Sequence, residues 1–218
     1  MSPLKLVGFP VGPLQANAYL AICEETASCF VIDPGAEHER LLSAAEAEGA
    51  RVEAILLTHA HLDHVGAVAA LKRATDAPIY LHPQDLPLYR ALPEQALSFG
   101  LEMEEQPDPD HELRHGQLIQ LGNETLEVRH TPGHSPGHVC FIGGGFALVG
   151  DCVFAGSIGR SDLPGGDSRA LLDSIQQQLL TLPDQTVLYP GHGPATTVGS
   201  ERTSNPFLGG VVGWSGSR

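Results

Sequence analysis

Apolar residues fall along this chain in short runs separated by polar turns. Residues 17–22 and 29–32 are apolar runs that flank Glu24-Glu25-Thr26, a pattern that predicts a β-hairpin closed by Asp33-Pro34-Gly35. Residues 37–48 have helical spacing and stop at Gly49. Residues 54–57 are apolar without interruption, as expected of a strand covered on both faces. Residues 64–73 read as one helix, with Val65, Val68, Ala69 and Leu71 among its apolar positions, and residues 79–81 as a further strand. Residues 102–116, with Pro107 and Pro109 and a run of acidic side chains, read as a surface insertion loop.

The second half continues in the same manner. Residues 118–121 and 125–128 bracket Gly122-Asn123, a hairpin turn signal. Residues 139–142 and 146–149 bracket three glycines. Asp167 is placed to cap a helix running to about residue 180, with Leu171, Leu172, Ile175 and Leu179 on its buried side. Residues 187–189 form the last predicted strand. Strand pairs alternating with helices point to two sheets sandwiched between helices.

Composition narrows this picture. A chain of 218 residues holds one large domain or two small ones. The motifs on either side of the polar 102–116 stretch belong to one site, so residues 1–218 are read as a single domain. No apolar run approaches the roughly 18 residues of a membrane span. Met1-Ser2-Pro3-Leu4-Lys5 lacks the layout of a signal peptide, and a cytoplasmic location is expected. Cys23, Cys29, Cys140 and Cys152 form no metal-knuckle spacing. Cys23 and Cys29 are placed to face each other across a hairpin, but reduced thiols are the expectation. The net charge of −14 repels polyanions at long range, which argues against nucleic acid and anionic membranes as partners.

The chemistry lies in the histidines. His59, His61, Asp63 and His64 fall within six residues, directly after the predicted buried strand. A short loop between a strand and a helix can turn several of these side chains to one point. His134 in Thr131-Pro132-Gly133-His134, Asp151 after Gly150, and His192 in Pro190-Gly191-His192-Gly193 each follow an apolar run and are flanked by glycine or proline. Seven ligands from four loops would hold two metal ions, with a carboxylate able to bridge them. Imidazole and carboxylate suit zinc, iron or manganese. Isolated histidines such as His38, His82, His111, His115 and His130 are read as surface or structural residues. His138 is a candidate to orient a ligand without binding metal itself.

The ordered motifs Thr-His-Ala-His-Leu-Asp-His (residues 58–64), Thr-Pro-Gly-His, Gly-Asp and Gly-His resemble those of the metallo-β-lactamase superfamily, over nearly the whole chain. Residues 159–167 and 190–194, with Asn205-Pro206-Phe207-Leu208, resemble its single-domain glyoxalase II-like branch. The resemblance implies a four-layer αββα sandwich of two mixed β-sheets flanked by helices. It implies two divalent ions per chain, zinc or iron before manganese. His59, His61 and His134 would bind the first, Asp63, His64 and His192 the second, and Asp151 would bridge, so that Asp63 and Asp151 also carry the catalysis. It further implies that Asp33 supports the ligands and that Arg160 lies near the thiol carrier of the substrate.

Water held between two cations ionises near neutral pH and can attack a carbonyl carbon. The first expectation is therefore glyoxalase II-like hydrolysis of S-(2-hydroxyacyl) thioesters such as S-lactoylglutathione. Only 26 residues follow His192, too few for the helical C-terminal domain of two-domain glyoxalase II enzymes. The alternatives are an iron-dependent persulfide dioxygenase and a lactonase on the same fold. The common zinc β-lactamases, which carry cysteine at the position of Asp151, are disfavoured.

Overall fold

In the computed structural model, which describes residues 4–98 and 100–208, the chain begins with a mixed six-stranded sheet. The extreme N-terminus, on which the absence of a signal peptide was argued, lies outside the described residues, as does the end of the C-terminal tail. The strands of the first sheet are β1 (Lys5–Val11), β2 (Ala16–Cys23), β3 (Ser28–Ile32), β4 (Arg51–Leu56), β5 (Ile79–Leu81) and β6 (His111–Glu112), side by side in chain order. β1 to β3 pair antiparallel, and β3 to β6 pair parallel. The helices α1 (His38–Ala47), α2 (Leu62–Val65), α3 (Val68–Thr75), α4 (Leu86–Arg90) and α5 (Leu92–Ser98) fall in this half.

The second half supplies β7 (Leu118–Leu121), β8 (Glu124–His130), β9 (Val139–Ile142) and β10 (Phe146–Gly150), then a short ribbon of β11 (Val153–Phe154) and β12 (Ser157–Ile158). After α6 (Ser168–Ser174) come β13 (Val187–Pro190), β14 (Thr196–Thr197) and α7 (Val198–Ser204). The second sheet runs β14-β13-β10-β9-β8-β7; it is antiparallel except for the parallel pair of β10 and β13.

Strand alternation builds three apolar layers. Leu20, Ile22 and Val31 point outward from the first sheet onto Leu41, Val68 and Leu71. Tyr19, Ala21, Phe30 and Leu56 point inward and meet Leu126, Val128, Phe141 and Leu148 of the second sheet. Cys140, Ile142 and Val149 face outward from the second sheet onto Leu171, Ile175 and Val198. Helix, sheet, sheet and helix give the αββα order, and each fully buried leucine or isoleucine stabilises it by roughly 1.5–3 kcal/mol.

Most predicted elements are present, with three corrections. The single helix over 64–73 is two: Ala67 donates its N–H to the Pro34 carbonyl at 2.8 Å, which diverts the chain between α2 and α3. The 102–116 stretch is not wholly a surface loop. It contributes the edge strand β6, buries Leu113 completely, and uses the Gln106 side chain to accept the Ala69 N–H at 2.8 Å. Cys23 and Cys29 do not face each other: Cys29 pairs with Ile22 and Cys23 with Ser28, and all four cysteines are free and buried. Asp167 does cap α6, its Oδ1 accepting the N–H groups of Arg169 and Ala170, and the helix ends in a wider π turn over Ile175–Leu179. Among the described residues no helix is long and apolar enough to cross a membrane.

Candidate metal centre

Four strands deliver the candidate ligands just beyond their C-terminal ends. β4 leads to His59, His61, Asp63 and His64, β8 to His134, β10 to Asp151 and β13 to His192. All seven side chains meet. Donor atoms of His59, His61 and His134 lie within 4.8 Å of one another, as do those of Asp63, His64 and His192. His59, His64 and His134 are buried, whereas His61, Asp63 and His192 are partly exposed to the cavity above.

The protons on the buried imidazoles can be placed from their partners, because a carbonyl or carboxylate only accepts. His134 donates from Nδ1 to the Arg160 carbonyl at 2.6 Å. His64 donates from Nδ1 to Asp33 Oδ2 at 3.1 Å. Thr58 gives its hydroxyl proton to Asp33 Oδ2 at 2.6 Å and so accepts from His59 Nδ1 at 2.9 Å. His59 and His134 then present an Nε2 lone pair inward, and His64 does so once its Nε2 proton has left. His59 Nε2 and His134 Nε2 stand 3.2 Å apart, and His61 Nδ1 stands 2.8 Å from the latter. The His59 and His134 lone pairs, this close, repel unless a cation lies between them. His64 Nε2 and Asp151 Oδ1, 3.4 Å apart and buried, have no hydrogen-bond partner. The donor set therefore fits metal ions.

Charge gives the same answer. Asp33, Asp63 and Asp151 converge here, and among the described residues none is paired with a lysine or arginine. Burial works to lower the pKa of His64, but Asp151, Asp63 and Asp33 outweigh it and push it up to about 10. Burial would raise Asp63, yet the positive character of His64 and His192 holds its carboxyl well below the usual range. Burial, reinforced by neighbouring imidazoles, pushes His61 down to about 3. Asp33 also lies within 4.8 Å of His59 and His64, but its oxygens are taken by the Thr58 N–H and hydroxyl and by His64, so it orients rather than ligates.

His138 lies beside the cluster without touching a ligand by hydrogen bond. Its Nδ1 meets the Thr131 hydroxyl at 2.8 Å, and its buried Nε2 has no partner. The Arg160 side chain lines the cavity rim and is held by Asp162 at 2.8 and 3.0 Å. His82 and His130 stack on each other, with ring centroids 4.2 Å apart, outside the cluster. Cys152, next to Asp151, points into the core behind the second sheet.

Two supporting residues were missed in the sequence. Asp85, completely buried, accepts from the Ala60 N–H at 3.0 Å, the Ser135 hydroxyl at 2.7 Å and the Gly137 N–H at 2.5 Å. It staples the loop of His59 and His61 to the loop of His134. Asn17 donates to the carbonyls of Pro190 and Gly193, on either side of Gly191-His192. Gly191 is required by proximity: a Cβ there would fall 2.1 Å from Asp151 Oδ1.

Comparison with known proteins agrees with this architecture. The model of the Metallo-beta-lactamase superfamily matches residues 11–192. Hydroxyacylglutathione hydrolase GloC of Haemophilus influenzae is 41% identical over 203 residues, 91% of this chain and 95% of that one. The crystal structure of TTHA1623 in a di-iron-bound form is 48% identical, with a TM-score of 0.85 over 93% of this chain and 100% of that one. That of BLEG-1 B3 metallo-beta-lactamase is 39% identical, with a TM-score of 0.87 over 94% and 99%. With its ligand groups gathered at the strand ends of an αββα sandwich, the chain belongs to the metallo-beta-lactamase superfamily and is a metal-dependent hydrolase.

Proposed function

We propose that the chain, with residues 1–218 acting as one domain, hydrolyses thioesters of 2-hydroxy acids in the manner of the glyoxalase II-like branch. The observation that carries the two-ion part of this reading is the placement of Asp151, and the choice of a thioester rests on the similarity to GloC. Its Oδ1 lies 3.4 Å from His64 Nε2, and its Oδ2 lies 3.6 Å from His134 Nε2 and 3.7 Å from His192 Nε2. One carboxylate thus faces both donor groups and would be placed to serve an ion held by either. On this reading His59, His61 and His134 hold one ion, and Asp63, His64 and His192 hold the other. Zinc or iron is preferred over manganese for this imidazole-rich set. Such ions supply a nucleophile from water at neutral pH and polarise the carbonyl under attack.

The remaining work falls to the chain itself. Asp33, Thr58 and the Arg160 carbonyl fix the imidazole tautomers, and Asp85 holds the two ligand loops together. No side-chain nucleophile is required: Cys152 is fully buried, and both the neighbouring Cys140 thiol and burial raise its pKa well above normal. Similarity to the hydroxyacylglutathione hydrolase GloC supports the thioester substrate. Similarity to BLEG-1, a B3 metallo-beta-lactamase, favours β-lactam hydrolysis as the second reading.

The test is a comparison of substrates on protein of measured zinc or iron content. S-lactoylglutathione, a lactone, a β-lactam and a persulfide with oxygen uptake are assayed side by side. Thioester hydrolysis that disappears in Asp151→Ala, with the circular dichroism spectrum retained, is the expected result. Turnover of only the β-lactam or the persulfide overturns the proposal.

A further inference from the structure

Above the ligand cluster lies a cavity of about 690 Å³, with His61, Asp63, His134, Asp151 and His192 on its floor. That volume is within the range of small-molecule sites, roughly 300–1,000 Å³. Its walls include Leu14, Leu62, Leu88, Phe154, Ile158 and Leu163. Phe154 presents its ring edge-on to His192, with centroids 6.1 Å apart. Leu14 is 44% exposed at the mouth, an apolar side chain with little else to cover it.

The polar wall residues are Gln95, Ser98, Ser157 and Arg160. Three of them are engaged within the protein. Gln95 Nε2 donates to the Leu88 carbonyl at 2.9 Å, and the Ser98 hydroxyl donates to the Gln95 carbonyl at 2.7 Å. Arg160, the single lysine or arginine on the lining, has its charge balanced by Asp162. Among the described residues, a substrate arm carrying several ionic groups meets on these walls only Arg160, already paired with Asp162. A hydrocarbon arm finds the six apolar wall side chains named above.

We infer that this cavity receives an apolar arm of the substrate, so that among 2-hydroxyacyl thioesters those with a bulky alkyl or aryl acyl group are preferred and lactoyl is the poorest. The inference rests on the thioester reading proposed above and narrows it. Each methylene removed from water is worth roughly a fourfold gain in binding. The preference therefore appears in kcat/KM, which reports binding from free substrate to transition state.

The experiment measures kcat/KM for a series of S-acylglutathiones, from lactoyl through 2-hydroxyoctanoyl to mandeloyl, with metal-loaded protein and with Leu163→Glu. The expected result is a rise of roughly tenfold or more along the series, flattened when Leu163→Glu puts a charge on the wall. A flat or falling series in the unmodified protein overturns the inference. A binding measurement by calorimetry stands apart from turnover. It uses two unreactive thioethers that differ only in ending with a phenyl or a carboxylate group. Tighter binding of the phenyl form supports the apolar cavity even if no thioester is cleaved, in which case only the proposed reaction fails. Equal or weaker binding of the phenyl form overturns the inference whatever the activity.

Discussion

Replacing Asp85 by alanine tests whether the two loops of the first donor group are held by one buried carboxylate. The substitution leaves the Ala60 and Gly137 N–H groups and the Ser135 hydroxyl without their acceptor, in a place that water does not reach. Each orphaned group costs about 1–3 kcal/mol. Part of that loss is offset, because burial is the largest influence on Asp85 and raises its pKa against the three hydrogen bonds, so the carboxylate is itself expensive to keep ionised. The expected net destabilisation is about 2–4 kcal/mol, within the 5–15 kcal/mol typical of a folded domain. For a domain of this size that is a fall in melting temperature of roughly 5–15 °C. The fold survives at 25 °C.

The effect on metal is more specific. Asp85 touches residues adjoining His59, His61 and His134 but none adjoining Asp63 or His192, so the first donor group loosens and the second does not. Affinity at the first position should fall by roughly 10–100-fold, the usual cost of losing a group that orients ligands. Thermal melting followed by circular dichroism, together with metal stoichiometry after equilibration against a buffered metal pool, reads both quantities. The expected variant holds one ion where the unmodified protein holds two. An unchanged melting temperature with full stoichiometry would falsify the staple, and equal loss at both positions would show Asp85 to be a general stability residue instead.

Two other outcomes follow from the geometry. In the metal-free protein the pKa of His64 is raised to about 10, so the stability it contributes is complete below its unfolded value of 6.5 and is lost as pH rises toward 10. Metal binding near pH 7.5 should accordingly release a proton from His64, visible in calorimetry as a dependence of the observed enthalpy on buffer ionisation; no buffer dependence refutes the charged state. Gly191→Ala should displace Asp151, because its Cβ would fall 2.1 Å from Oδ1, and should lower turnover with little loss of secondary structure; turnover equal to the unmodified protein would mean that the carboxylate has room to move.

The cluster of candidate ligands was legible in the sequence because its donors obey a local rule. They stand one to eight residues beyond a buried strand, often beside a glycine, and the αββα fold brings such strand ends to one edge. The supporting contacts are long-range, and the sequence conceals them. Asp85 looks like the polar residue of an ordinary Pro-Gln-Asp turn, yet its partners are 25 to 52 residues away. A signal was available: Asp85 also stands just beyond a strand, β5, which runs parallel to β4 in the same sheet. The split between α2 and α3 was hidden for a related reason. Apolar spacing from Val65 to Leu71 continues unbroken, and only the hydrogen bond from Ala67 to Pro34 diverts the chain. Residues 102–116 look polar because most of their side chains are exposed, while Gln106 and Leu113 reach inward at single positions.

Arg160 brings the ligand cluster and the cavity together. Its side chain lies on the rim, but its carbonyl accepts the His134 Nδ1 proton and so fixes the tautomer of a ligand. One residue earlier, Gly159 approaches so closely that a Cβ would stand 1.8 Å from the Asp151 carbonyl. The loop that shapes the cavity is thus attached to the cluster at two backbone points, through groups that no side-chain substitution at Arg160 removes. Exchanging the Arg160 side chain alters the charge on the cavity rim while leaving the His134 tautomer in place. Moving the backbone there, by insertion or by a side chain at Gly159, disturbs both. On the cavity reading proposed above, wall side chains such as Leu163 and Phe154 can change without moving the cluster, whereas the path of the loop near Gly159 and Arg160 is tied to it.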